Sequence, residues 1–242
     1  MNPILVVFLS ALITAIATGF GAVPFLFMRS MSRRVGAYAY ALAGGLMLGA
    51  SFGLVVEGTH YGAVQTIAGG LLGVALILIT QRWLKDRPVA FGTVDGAGAR
   101  QMVLLLIVMT AHSFSEGVAV GVSFGGGTAL AIAITVAIAV HNIPEGLAIS
   151  AVMRSKGQSV GACAAWSVFS SLPQPLMAVP AFVLVDHVRP ALPYGLGFAA
   201  GAMAFMVLDE LLPEAYEQGP VETIAILTSA AVIVMVVFQH AL

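Results

Sequence analysis

Charge is what this chain has least of. Asp, Glu, Lys and Arg supply 9% of its 242 residues, against roughly 25% in an average soluble domain. Apolar residues supply 60%, and mean hydropathy is +1.01. A soluble core of this length cannot absorb so much apolar surface, so the chain reads as an integral membrane protein. Cysteine is almost absent too. The single Cys163 excludes an internal disulfide and any cysteine-rich metal site; a small buried apolar residue is its ordinary role. A net charge of −1 offers no basic footprint for nucleic acid. The His-Glu-x-x-His order of a metalloprotease is missing from the sequence, and no enzymatic activity is expected.

What is present is a series of long apolar runs separated by polar punctuation. They predict eight helices, near 4–28, 38–57, 62–82, 101–125, 128–153, 160–185, 190–214 and 221–241. Each is close to the ~20 residues that cross the hydrocarbon core. The first, Ile4 to Met28, has no basic residue ahead of it and is too long for a signal-peptide core, so it is read as a retained span. The run "ALAGGLMLGAS" in the second suits close helix contact. The fold class expected is therefore all-α, one eight-helix domain over residues 1–242.

Basic residues set the orientation. Arg29, Arg33 and Arg34 follow the first span; Arg82, Lys85, Arg87 and Arg100 follow the third; Arg154 and Lys156 follow the fifth. With eight spans these loops share one side, the cytoplasmic one, and both termini lie outside. Only Arg189 is opposite. The polar stretch at about 83–100 is then a cytoplasmic loop. The short approach to the first span points to a plasma (inner) membrane of prokaryotic type.

Two stretches break the apolar pattern. "HSFSEG" starts at His112 in the fourth predicted span, and "HNIPEG" starts at His141 in the fifth. Each puts a histidine four residues before a glutamate, so imidazole and carboxylate share one helix face. The short "FGGGTA" connection makes the two spans antiparallel neighbours. His112, Glu116, His141 and Glu145 can thus converge at mid-membrane. An ionisable residue there costs at least ~2.5–3.5 kcal/mol on insertion scales and is by default functional. Two neutral imidazoles and two carboxylates carry −2, which one divalent cation neutralises, and nitrogen and oxygen ligands suit Zn²⁺ and other first-row metals. Pro144, one residue before Glu145, cannot donate to the Val140 carbonyl and so breaks the helical ladder beside the pair. Two other readings use the same residues. Paired His–Glu bridges could simply hold two helices together, or they could relay protons for a carrier of a small organic solute.

On these two motifs, the eight spans and the loop between the third and fourth, the chain resembles the ZIP (Zrt-, Irt-like protein) family of divalent metal transporters. The resemblance covers essentially the whole sequence. It implies Zn²⁺, or Fe²⁺, Mn²⁺, Co²⁺ or Cd²⁺, as transported substrate rather than cofactor, and often a homodimer in the bilayer. It also implies a two-metal centre. The first site would use His112, Glu116, His141 and Glu145, with a methionine, Met47 before Met102, Met109 or Met203. The second would use Ser113 and Asn142, bridged by Glu116 and Glu145. Where the family often has Glu-Pro on the sixth span, this chain has Gln174-Pro175. Serine, asparagine and glutamine are neutral, weaker ligands. One strong site with an optional weak neighbour is therefore expected.

Acidic residues further along suggest a path. Asp209 and Glu210 end the seventh span on the cytoplasmic side, where they could draw a cation onward. Glu214, Glu217 and Glu222 follow, of which Glu217 and Glu222 read as solvated. Glu57 and His60 at an outer helix end, Asp186 and His187 in an outer loop, and His240 near the C-terminus read first as helix ends. No G-x-x-x-x-G-K-[ST] motif occurs, so transport would run on a gradient.

Overall fold

The computed structural model describes residues 2–28, 32–85 and 97–241. Residues 86–96, most of the expected cytoplasmic loop, lie outside the described residues, as does Arg29. Among the described residues the chain is helical and carries no strand. Nine α-helices follow one another: α1 Pro3–Gly19, α2 Arg33–Lys85, α3 Ala97–Gly125, α4 Thr128–Ser155, α5 Val160–Ser171, α6 Pro173–His187, α7 Leu192–Met206, α8 Leu212–Gln218 and α9 Val221–Ala241. Among the described residues, six stretches are long and apolar enough to cross a membrane. With the apolar side chains of Phe27, Leu71, Leu72 and Ile233 turned outward, this is a multi-pass membrane protein.

Local chemistry explains the boundaries. Asn2 Oδ1 caps α1 by accepting from the Ile4 amide at 3.0 Å, and Pro3 takes the first helical position, where its missing N–H costs nothing. The expected first span continues past α1 as a 3₁₀ stretch, Phe20–Leu26, with Pro24 inside it. The expected sixth span is two helices, α5 and α6. They meet at Leu172, because Pro173 and Pro175 donate no backbone hydrogen bond. The expected seventh span leaves α geometry for a π turn at Val207–Leu211, just ahead of Pro213.

The second and third expected spans form one continuous element, α2. At ~1.5 Å per residue, its 53 residues are far longer than the ~30 Å hydrocarbon core. The element is not straight. Gly62 leaves helical geometry at φ 165°, ψ 107°. A Cβ added to Gly58 would come within 2.7 Å of the Thr66 side chain, a contact between residues eight apart that only a reversal allows. α2 is thus two arms folded back at Gly62.

Two packing groups result. The arms of α2 pack on α7 and α9, while α1, α3, α4, α5 and α6 pack mainly among themselves. In the first group the second arm of α2 and α7 meet backbone to backbone. A Cβ on Gly69, Gly73, Gly197 or Gly201 would stand 2.1 Å from a carbonyl oxygen of the facing helix. Such contact replaces hydrophobic association where lipid is as apolar as the core. In the second group the buried polar residues gather. Of all the buried polar side chains described, only Ser51, Thr66 and Thr228 lie outside it.

Candidate metal centre

α3 and α4 are joined by a tight turn whose geometry needs glycine. Gly127 adopts φ 110°, a region that side-chain-bearing residues avoid. The Gly126 amide bonds the Ser123 carbonyl at 3.0 Å, and Arg189 Nη1 caps the Gly125 carbonyl at 2.6 Å. This turn sends α4 back along α3 and sets the two His-x-x-x-Glu faces against each other.

Both motifs end in glycine for the same steric reason. A Cβ on Gly117 would lie 2.5 Å from the Gln174 carbonyl oxygen, so the backbone of α6 rests on α3 just after Glu116. A Cβ on Gly146 would lie 1.7 Å from the Thr18 carbonyl oxygen, so α1 rests on α4 just after Glu145. Helices α1 and α6 therefore wall the site as closely as backbones can.

The four expected residues meet. His112, Glu116, His141 and Glu145 each offer a ligand atom within 4.8 Å of the others, and all four are buried. His112 Nε2 is 3.3 Å from Glu116 Oε1 and 3.8 Å from Glu145 Oε2; His141 Nε2 is 2.6 Å from the same Glu116 Oε1. With bonds of 2.0–2.1 Å, the ligand atoms of a tetrahedral Zn²⁺ stand about 3.3 Å apart. The observed separations bracket that value. Both carboxylate oxygens of Glu145 and Nδ1 of each histidine are buried without a hydrogen-bond partner. Buried polar atoms are rarely left so. Glu145, whose nearest of these contacts is His112 Nε2 at 3.8 Å, makes no hydrogen bond that would brace one helix on another.

Gln174 also reaches the site, through Nε2, which donates to Glu116 Oε2 at 2.6 Å. Asn142 Nδ2 donates to Gln174 Oε1 at 3.3 Å and to the Thr14 carbonyl at 2.8 Å. Ser113 is fully buried, with its hydroxyl unpaired. Met47 is fully buried in the first arm of α2, as are Met109 and Met203 elsewhere in the core; the side chain of Met102 lies outside the described residues.

Sequence reasoning missed Thr14 and its neighbour one turn on, Thr18. Thr14 Oγ1 donates to Gln174 Oε1 at 2.5 Å, and Thr18 pairs with Ser171 at 2.9 Å. Their i, i+4 spacing inside an apolar helix was the available signal.

The acidic pair Asp209 and Glu210 is not part of the four-residue group. It lies on the π turn, a feature often found at functional sites, where Glu210 Oε1 accepts from Gln81 Nε2 at 2.7 Å. Glu57, His60, Gln239 and His240 line a cavity of about 310 Å³ between the first arm of α2, α4 and α9. His187 only bonds back to its own helix, at the Val183 carbonyl.

Helices in two groups, with a buried nest of two imidazoles and two carboxylates in one of them, define a membrane protein built around a cation site. The sequence profile of the ZIP zinc transporters matches residues 92–237, and this chain belongs to that family. It is 32% identical over 241 residues to the zinc transporter ZupT of Corynebacterium efficiens, covering 90% of each chain. It is 30% identical over 225 residues to the zinc transporter GufA of Myxococcus xanthus, covering 87% of this chain and 88% of that one. A protein of Arabidopsis thaliana, provisionally named a zinc transporter, is 42% identical over 221 residues. There the match takes 90% of this chain but 36% of the plant protein, so this chain spans about a third of that relative.

Proposed function

We propose that this protein carries divalent metal cations, zinc foremost, across the plasma (inner) membrane into the cytoplasm. The observation that carries this reading is the convergence of His112, Glu116, His141 and Glu145 in a buried interior, with the oxygens of Glu145 making no hydrogen bond. The ion exchanges its water for imidazole and carboxylate there. Mixed ligands of this kind bind firmly enough to strip water yet release more readily than thiolates would. Met47 is the candidate additional ligand, and Ser113, Asn142 and Gln174 border the adjoining position.

The reading takes the whole chain as one eight-span domain. The reversal at Gly62 supports counting α2 as two spans, α5 with α6 form another, and α7 with α8 one more. Both termini then face outward. The contact of Gln81 with Glu210 fits an inner end shared by α2 and the π turn, and that of Arg189 with Gly125 fits an outer end. Asp209 and Glu210 receive the ion on its way in. Alternating access moves the α1/α3–α6 group against the α2/α7/α9 group, in a protein that works as a homodimer. Metal binding displaces protons from the same side chains, which couples cation and proton movement.

The test is uptake of radioactive Zn²⁺ into proteoliposomes by the wild type and Glu145→Ala at matched incorporation. Saturable uptake lost on substitution is expected, with Fe²⁺, Mn²⁺, Co²⁺ and Cd²⁺ ranked by competition. Uptake no greater than that of empty liposomes for every divalent ion overturns the reading.

A further inference from the structure

Glu116 uses its two oxygens differently. Oε1 faces both histidines, whereas Oε2 accepts from Gln174 Nε2 at 2.6 Å. The amide cannot turn round without loss. Its Oε1 lies 2.5 Å from the Thr14 hydroxyl, which also reaches the Ala11 carbonyl at 2.7 Å, and accepts from Asn142 Nδ2 at 3.3 Å, so a flipped Gln174 would set its NH₂ against the Asn142 donor and its oxygen against Glu116 Oε2. Asn142 is oriented in turn by the Thr14 carbonyl, 2.8 Å from Nδ2. All four of these side chains are fully buried. A line of fixed donors thus runs from α1 through α4 and α6 to one oxygen of one ligand.

We infer that the Thr14–Asn142–Gln174 network occupies the place of a second cation, so that the centre holds one divalent ion and Gln174 positions Glu116 to bind it through Oε1 alone. This rests on the transport reading above. The centre has two carboxylates and, with neutral imidazoles, a charge of −2. One divalent ion cancels it. A second would bring +2 into a buried site with no further carboxylate, where uncompensated charge is strongly disfavoured. The unpaired Ser113 hydroxyl and Asn142 Oδ1 can solvate an ion but cannot neutralise one. Gln174 Nε2, a donor pointed at Glu116 Oε2, stands where a bridging ion would need an acceptor. Gln174 and Asn142 are on this account positioning residues, not ligands.

The experiment measures zinc stoichiometry of the purified full-length chain in lipid nanodiscs, by equilibrium dialysis and elemental analysis, beside zinc-edge X-ray absorption. The wild type is expected to bind one Zn²⁺ per chain, with no metal–metal scatterer. The double variant Asn142→Asp/Gln174→Glu supplies the two missing charges and is expected to bind two. Thr14→Val is expected to keep one ion and weaken its affinity about 10- to 100-fold, the usual effect of removing an outer-shell partner. Two ions on the wild type, or a metal–metal distance of about 3.5–4 Å in it, overturns the inference while leaving transport intact. So does a folded double variant that still binds one. A wild type that neither binds nor carries zinc sinks the transport reading instead.

Discussion

The two helix groups are held together by opposite means. Between the second arm of α2 and α7, glycines bring backbone onto backbone, and hardly a polar side chain is buried. Around α3 and α4 equally close glycine contacts, at Gly117 and Gly146, enclose imidazoles, carboxylates, amides and hydroxyls. The same packing device joins apolar backbones in one group and encloses the buried His/Glu cluster in the other. The difference lies in what stands next to the glycine: apolar side chains in the first, Glu116 and Glu145 in the second. A group whose buried side chains are uncharged can serve as a fixed frame; the group with two buried imidazoles and two buried carboxylates has the chemistry to take a cation.

Substitutions that split the two groups test this. The largest effect is expected from Glu116→Ala, which removes the oxygen shared by both histidines and should lower zinc uptake by more than about 100-fold, beyond what loss of an outer-shell partner does. Next come matched glycine changes. Gly146→Val and Gly201→Val each force a side chain onto a facing carbonyl and should both lower Tm in detergent, through overpacking of at least about 1–3 kcal/mol. Only Gly146→Val should also weaken zinc binding by the fraction that stays folded; equal loss in both variants would erase the distinction between the groups. A subtler pair is Thr14→Val and Thr66→Val. Both hydroxyls are buried, but that of Thr66 bonds back to the Gly62 carbonyl of its own chain segment, so zinc affinity should fall about 10- to 100-fold for the first and stay unchanged for the second. The smallest effect expected is for Asp209→Asn. Maximal uptake should drop about two- to five-fold, on the order of the 1 kcal/mol typical of exposed charge interactions, with zinc affinity at the centre unaltered.

Much of this arrangement was legible in the residues. Apolar run length gave the helices, because only continuous helices satisfy backbone groups in lipid. The i, i+4 spacing of histidine and glutamate gave the faces of α3 and α4, and the short glycine connection gave their pairing. What the sequence hid was tertiary. Periodicity along one helix does not say that Thr14 on α1 meets Gln174 on α6. Nor does it say that the glycine after each glutamate is a contact point for a third and a fourth helix. Gln174 was visible as a neutral residue in a place where a ligand was expected, but its donor end could be assigned only from its neighbours. The reversal in α2 was legible, because polar residues around Gly62 separate two apolar runs, whereas the divisions at Leu172 and at the π turn, beside Pro173 and Pro213, fall inside runs that read as single spans.

The glycines behind the two glutamates also make the centre a gauge of ionic size. With the backbones of α1 and α6 pressed against Gly146 and Gly117, the helices that carry the two carboxylates have no room to shift toward those walls. Zn²⁺ takes oxygen and nitrogen at roughly 2.0–2.2 Å and is content with four ligands, whereas Ca²⁺ asks for six to eight oxygens at about 2.3–2.6 Å. On the proposed reading, two ions of identical charge would be told apart by radius, through residues that touch neither of them.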